Sequence, residues 1–146
     1  MSAAGCELCR EPGGLVLHRA AEWRVVRVDD ADFPAFYRVI WNAHVAEFGE
    51  LDRAARQRCM EAVAAVEGAL REALAPTKIN LASLGNVVPH LHWHVIARFD
   101  WDSRFPAPVW AEPRRAVVPP AASRLALPLA ALDERVARAA AVLAAH

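Results

Sequence analysis

Three histidines alternate with apolar residues in the segment His90-Leu91-His92-Trp93-His94. Side chains two apart on a strand share a face, at a spacing of roughly 6.6 Å, so the three imidazoles line one face if this segment is a strand. The whole chain contains 6 histidines, so half of them fall in this segment. A lone histidine on a strand is usually structural, whereas three in alternation favour catalysis or metal binding.

Two kinds of chemistry suit this pattern. In the first, the three imidazoles hold one catalytic metal ion and leave an open coordination position. On an unbent strand, however, His90 and His94 lie roughly 13 Å apart, so convergence on one ion needs distortion. In the second, His92 is a nucleophile and its neighbours hold the substrate, since a neutral imidazole with a pKa of about 6.5 is available near pH 7. Both remain open on the pattern alone.

Two cysteines stand near the N-terminus with the spacing Cys6-x-x-Cys9. The chain has 3 cysteines, and this odd number and the pair spacing favour metal binding or redox chemistry over a disulfide framework. The alternative is a pair of free thiols on a frayed terminus. The third cysteine, Cys59, falls on the apolar stripe of a predicted helix, which indicates core packing.

The composition limits the classes of partner. A chain of 146 residues with 55% hydrophobic and 23% charged residues is typical of a globular domain. The 17 basic and 17 acidic residues cancel, which predicts neither a nucleic-acid partner nor an anionic membrane partner. We find no signal-peptide pattern and no apolar run of the roughly 18 residues that a membrane span needs, so we expect a cytoplasmic protein.

The hydrophobic pattern predicts five strands and two long helices. The predicted strands are Leu15–Leu17, Trp23–Val28, Phe36–Trp41, Lys78–Leu84 and His90–Ala97. One helix is predicted from Asp52 to Ala75, where Pro76 ends it, and another from about Pro128, which suits a first helical position. Short connections between strands favour antiparallel pairing, and the order of elements favours an α+β fold.

The chain is predicted to form one domain over residues 1–146. Residues 1–100 make up the motif-bearing core, and residues 101–146 hold a proline-rich segment and the C-terminal helix. Prolines exclude regular structure over much of residues 100–128, while Trp101 and Trp110 are expected to pack the segment down. A further hypothesis is that this segment folds over the site or across a dimer interface.

The segment His-Leu-His-Trp-His-Val-Ile resembles the motif of the histidine triad (HIT) family, and the similarity covers roughly Cys6 to Arg98. Upstream, the stretch from Arg38 to His44 is similar to a family strand that ends in a short proline- or lysine-rich segment before a histidine. The resemblance implies a HIT-like fold and a homodimer in which the long strands or the first helix meet. It also implies that Asp29 contacts the ribose hydroxyls and that Asn80 approaches the nucleotide.

The resemblance implies a two-step reaction at the α-phosphate of a nucleoside phosphoramidate or dinucleoside polyphosphate. His92 attacks the phosphorus and forms a nucleotidyl-histidine, and water or another acceptor then takes the nucleotidyl group. His94 contacts the phosphate and serves the leaving group as a proton donor. Backbone N–H groups of Gly85 and Asn86 face the developing negative charge.

Some members of the family carry a cysteine pair that joins two histidines to bind zinc. Carried over to this chain, the ligands are Cys6, Cys9, His44 and His90. Two cysteines and two histidines form a closed tetrahedral set, which is typical of a structural site. His90 is then a structural ligand, while His92 and His94 remain for the chemistry.

One position departs from the family pattern. The family commonly has a serine or threonine three residues before the first motif histidine, and this chain has Val87 there, with Asn86 as a substitute donor. This departure keeps a rival function open, a zinc-stabilised nucleotide-binding or interaction module without significant turnover. A third hypothesis, a metal hydrolase with the triad around a catalytic ion, predicts that chelation abolishes activity without unfolding the protein.

Overall fold

A five-stranded sheet forms the centre of the computed structural model, which describes residues 3–145. The strands are β1 Leu15–Arg19, β2 Trp23–Arg27, β3 Phe36–Trp41, β4 Lys78–Ala82 and β5 His92–Arg98. They lie in the order β1-β2-β3-β5-β4, and every neighbouring pair is antiparallel. The predicted α+β fold with five antiparallel strands is therefore confirmed.

Two long helices cover one face of this sheet. These are α2, which spans Arg53–Leu74, and α3, which spans Leu129–Ala144. A short helix α1 at Glu7–Arg10 precedes the first strand. Short 3-10 turns lie at Ala3–Gly5, Phe48–Glu50 and Ala121–Arg124. None of the helices within residues 3–145 is long and apolar enough to cross a membrane.

The apolar stripe predicted for α2 faces the core. Its buried members are Ala55, Cys59, Val63, Val66, Leu70 and Leu74. The helix begins after Asp52, whose carboxylate accepts a hydrogen bond from the Ala55 N–H at 2.8 Å. It ends at Ala75, which adopts a left-handed conformation before Pro76.

Side chains alternate between the two faces of the sheet, and one face packs on the helices while the other carries the candidate site. Tyr37, Val39 and Val95 point into the core below α2 and α3. Their neighbours in sequence, such as Arg38 and His94, point to the other face. There, α1 covers one end with a small apolar cluster, and the segment after β5 covers the other end with a second one. The candidate site lies between these two covers.

Strand β5 begins at His92, two residues later than predicted. His90 belongs to a tight turn after Pro89, in which its N–H donates to the Val88 carbonyl at 2.8 Å. The prediction that three imidazoles line one face was therefore wrong. Only His92 and His94 do so, and the chain turns before His90 can join them.

Other boundaries differ by one or two residues. β4 ends at Ala82 rather than Leu84, and the hydroxyl of Ser83 donates to the His92 carbonyl at 2.9 Å. Pro128 precedes the first turn of α3 in an extended conformation rather than occupying its first helical position. β1 extends to Arg19 past an irregularity in its register.

Candidate active site and metal-binding cluster

His92 and His94 occupy successive same-face positions on β5. Both are buried, with 8% and 5% of their surfaces exposed, and their ring centroids are 5.0 Å apart. They lie at the base of a cleft of about 400 Å³. This cleft is bounded by the loop between β4 and β5, by α1 and by the segment after β5.

The imidazole of His92 is oriented by the backbone. Its Nδ1 lies 2.6 Å from the carbonyl oxygen of His90. Because a carbonyl oxygen only accepts, Nδ1 carries the proton and Nε2 keeps a lone pair. Burial lowers the pKa of His92, the hydrogen bond to His90 opposes this, and the charge of Arg38 lowers it further. His92 is thus a neutral imidazole with a fixed tautomer, the form that a nucleophile needs.

His94 is held neutral more strongly. Burial lowers its pKa to about 3, and His92 and Arg38 add to the shift. Its ring packs edge-on against Phe36 and Trp110, at centroid distances of 5.3 Å and 5.4 Å. Within the described residues, its Nδ1 is buried without a hydrogen-bond partner. A neutral imidazole in this position can hydrogen-bond a substrate oxygen in the cleft.

The loop between β4 and β5 forms one wall of the cleft. Gly85 and Asn86 both line it, beside His92 and His94. Gly85 adopts a positive φ of 74°, which favours glycine even though a Cβ would find room there. Val87 also lines the cleft and is 87% exposed, so the position that would carry a hydroxyl holds only methyl groups.

Arg38 and Trp110 line the cleft but were not among the site residues predicted from the sequence. Arg38 of β3 pairs with His94 across the sheet and lines the cleft. Trp110, expected to be a packing residue, also lines it and is 55% exposed. The prediction for Trp101 is confirmed, since it stacks on Phe99 with ring centroids 4.7 Å apart. Arg38 could have been found only from the pairing of β3 with β5.

The two other predicted substrate contacts lie elsewhere. Asp29 is exposed just after β2. Asn80 lies on β4, where its side-chain oxygen accepts a hydrogen bond from Arg98 at 2.8 Å. Neither is among the described residues that line the cleft around His92 and His94. Their contacts with ribose and nucleotide stay predictions.

The four predicted metal ligands come together behind this cleft. Ligand atoms of Cys6, Cys9, His44 and His90 all lie within 4.8 Å of one another. Cys6 Sγ and Cys9 Sγ lie 3.3 Å and 3.4 Å from His90 Nδ1, and His44 Nδ1 lies 3.4 Å from the same atom. With Zn–S bonds of about 2.3 Å and Zn–N bonds of about 2.0 Å, a tetrahedral site has such edges. These four residues could hold a metal ion.

The ring of His90 is set for this role by its other nitrogen. His90 Nε2 lies 2.6 Å from the Trp41 carbonyl, so Nε2 carries the proton and Nδ1 has a lone pair that faces the cysteines. The hypothesis of one ion held by His90, His92 and His94 finds no support in this geometry. His90 turns towards Cys6 and Cys9, away from the pair on β5.

A family model described as "HIT domain" matches residues 14–101, more than half of the chain. The chain belongs to the HIT domain family. HIT proteins bind nucleotide substrates and are generally nucleotide hydrolases or transferases, so this HIT protein falls in that superfamily. No curated protein matches the chain.

Solved structures of HIT proteins share its fold. A histidine triad protein from Bradyrhizobium japonicum is 26% identical with a TM-score of 0.70, and the match covers 87% of this chain and 90% of that one. A histidine triad protein from Marinobacter aquaeolei is 24% identical with a TM-score of 0.71, covering 90% and 92%. A histidine triad protein from Sinorhizobium meliloti is 28% identical with a TM-score of 0.65, covering 78% and 89%.

Proposed function

We propose that this HIT protein is a nucleotide hydrolase or nucleotidyl transferase that acts through a covalent intermediate on His92. The observation that carries the proposal is the 2.6 Å contact between His92 Nδ1 and the His90 carbonyl. This contact places the proton on Nδ1 and leaves the lone pair of Nε2 for attack on phosphorus. The substrate class is a nucleoside phosphoramidate or a dinucleoside polyphosphate.

The first step forms a bond between His92 Nε2 and the α-phosphorus. The bond from phosphorus to the leaving amine or phosphate breaks, the leaving group keeps the electron pair, and a leaving amine takes its proton from solvent. As the histidine becomes positively charged, the His90 carbonyl stabilises the charge on the Nδ1 side. Water or another acceptor then attacks the same phosphorus and loses its proton to solvent, and the bond to Nε2 breaks, so that His92 is released unchanged.

His94 and the loop after β4 are the partners of the phosphate oxygens in this proposal. A pKa of about 3 means that His94 is neutral in the free protein at pH 7, so it acts there as a hydrogen-bond donor rather than as a stored proton. Backbone N–H groups of Gly85 and Asn86 stabilise the developing negative charge. Asp29 is assigned to the ribose and Asn80 to the nucleotide, both from the family resemblance.

We propose that the cluster of Cys6, Cys9, His44 and His90 binds zinc. Two thiolates and two imidazoles with no open position suit a structural ion, which would tie α1 to the turn before β5. His90 then serves two sites, since its ring faces the metal cluster while its carbonyl orients His92. The expected role of the ion is to stabilise this arrangement.

We propose a homodimer, supported by the apolar side chains Leu81 and Leu84, which are 44% and 54% exposed on and beside edge strand β4. We also propose that residues 1–146 act as one domain, because α3 shares the core below the sheet with α2. A cytoplasmic location stays a prediction from the sequence.

The decisive experiment is intact-protein mass spectrometry after mixing the protein with a nucleoside phosphoramidate and quenching rapidly without acid. The matched variant is His92→Asn, since an asparagine amide can still donate to the His90 carbonyl but has no nucleophilic nitrogen. We expect a nucleotidyl adduct on the unaltered protein and none on the variant. If nucleotides bind but several substrates give no adduct, the protein is the binding module that Val87 suggests.

A further inference from the structure

Among the described residues that line the cleft, Arg38 is the only arginine or lysine. It lies on β3 directly opposite His94 of β5, so its side chain leaves the sheet on the same face as the two histidines. Among the described residues of the lining, the other residue with a formal charge is Glu7, which is acidic. The positive charge available to a phosphate in this cleft is therefore the Arg38 guanidinium.

One nitrogen of the Arg38 guanidinium is held by a hydrogen bond, and another has no hydrogen-bond partner among the described residues. Its Nη1 donates to the Gly13 carbonyl at 3.1 Å. Its Nε is buried and has no hydrogen-bond partner within residues 3–145. A buried donor without a partner costs stability, and such groups in folded proteins often serve a ligand. Arg38 thus reaches the cleft with hydrogen-bonding capacity to spare.

The anchor at Gly13 depends on close backbone packing. Gly13 has a φ of 88°, and a Cβ at this position would lie 2.7 Å from both Ile40 Cδ1 and Leu8 Cδ2. The positive φ, together with these side-chain contacts, favours glycine at this position. The close approach brings the Gly13 carbonyl to Nη1 and holds the guanidinium beside the cleft rather than free in solvent.

We propose that Arg38 binds a non-bridging oxygen of the substrate phosphate next to His92, and that it takes over the task for which the family pattern provides a hydroxyl at position 87. This inference rests on the proposed nucleotide chemistry. An arginine can hold phosphate oxygens by charge-assisted hydrogen bonds, which are stronger than a bond from a neutral hydroxyl. Arg38 on β3 then supplies the phosphate contact that Val87 in the loop cannot make.

The test compares ligands with and without the phosphate. Dissociation constants for AMP and adenosine, and for GMP and guanosine, are measured by NMR titration with the unaltered protein, Arg38→Met and Arg38→Lys. We expect Arg38→Met to weaken nucleotide binding by about tenfold or more, from the usual strength of a charged hydrogen bond, and nucleoside binding by less than about twofold. Arg38→Lys should recover part of the loss.

Arg19→Met is the matched control, because it removes the same charge from an exposed position on β1 outside the cleft. We expect it to leave all four dissociation constants unchanged. If Arg38→Met weakens nucleotide and nucleoside equally, or weakens neither, the inference is overturned while nucleotide binding stands. If the unaltered protein binds neither nucleotide, the proposed function fails and takes the inference with it.

Discussion

His94 is a cleft residue whose charge state is strongly controlled by burial. Its pKa of about 3 in the folded protein is far below the value near 6.5 of an unfolded chain, because burial opposes the charged form. Below pH 6.5, His94 therefore takes up a proton in the unfolded state but remains neutral in the folded state. The contribution of neutral His94 to stability is complete above about pH 6.5 and is lost as pH falls towards 3.

We predict that the free energy of unfolding falls between pH 7 and pH 5, with His94 contributing up to about 1.4 kcal/mol per pH unit. Urea unfolding at a series of pH values measures this slope. In His94→Gln, which cannot take up the proton, the slope should be smaller. An unchanged slope would mean that His94 is not shielded from protonation.

At the residue scale, the alternating pattern singled out His92 and His94, and the family resemblance added Gly85 and Asn86. The structure brings all four to one cleft. Arg38 could not be recognised in the same way, since 16 of the 17 basic residues are arginines and most lie on the surface. Its place opposite His94 follows from strand register, which a single sequence does not define.

Helix α3 is joined to the sheet by a small polar network. The Asp133 carboxylate accepts a hydrogen bond from the Tyr37 hydroxyl at 2.8 Å and a bifurcated one from Arg27 Nε, with its two oxygens at 3.0 Å and 3.1 Å. Burial and the bond to Asp133 raise the pKa of Tyr37, so its hydroxyl stays protonated as a donor. This network lies on the side of the sheet away from the cleft and should affect stability rather than catalysis.

We predict that Asp133→Ala lowers the free energy of unfolding by about 2–3 kcal/mol, because it leaves Arg27 largely buried without its partner. Tyr37→Phe should cost about 1 kcal/mol, the usual value of one hydrogen bond. Glu134→Ala removes the same charge from the exposed side of α3 and should change little. Chemical denaturation of the three variants gives these values, and an equal effect of the two acidic substitutions would show that the network does not hold α3.

The elements themselves were largely predictable, because the hydrophobic pattern indicated all five strands and both long helices. The start of β5 was not. Alternation continues through His90, so its pattern alone extends the strand, whereas the hydrogen bond from His90 N–H to Val88 and the contacts of its ring turn the chain aside. Tertiary contacts decided the element boundary that matters most for function.

Across the whole molecule, the proposed zinc site links the N-terminal helix α1 to the middle of the sheet. Glu7 and Leu8, which lie between the two cysteines, also line the cleft. A bound ion would join two thiolates and two imidazoles that come from separate parts of the chain. Metal occupancy should therefore affect both the stability of the fold and the shape of one cleft wall.

We predict that the purified protein holds one zinc ion per chain and that chelation lowers its melting temperature. Cys9→Ser should lose the metal, whereas Cys59→Ala, which alters a thiol packed in the core, should retain it. Metal content by elemental analysis and melting temperature by calorimetry test this. Loss of activity on chelation with no change in melting temperature would instead support a catalytic ion.

His90 belongs to both centres of this protein, through its ring on one side and its carbonyl on the other. Where binding at one site changes a residue that a second site also uses, the two binding events are coupled, and such coupling is reciprocal. If zinc improves nucleotide affinity by fixing His90, a bound nucleotide must raise the affinity for zinc by the same factor. Substrate supply would then protect the protein against metal loss.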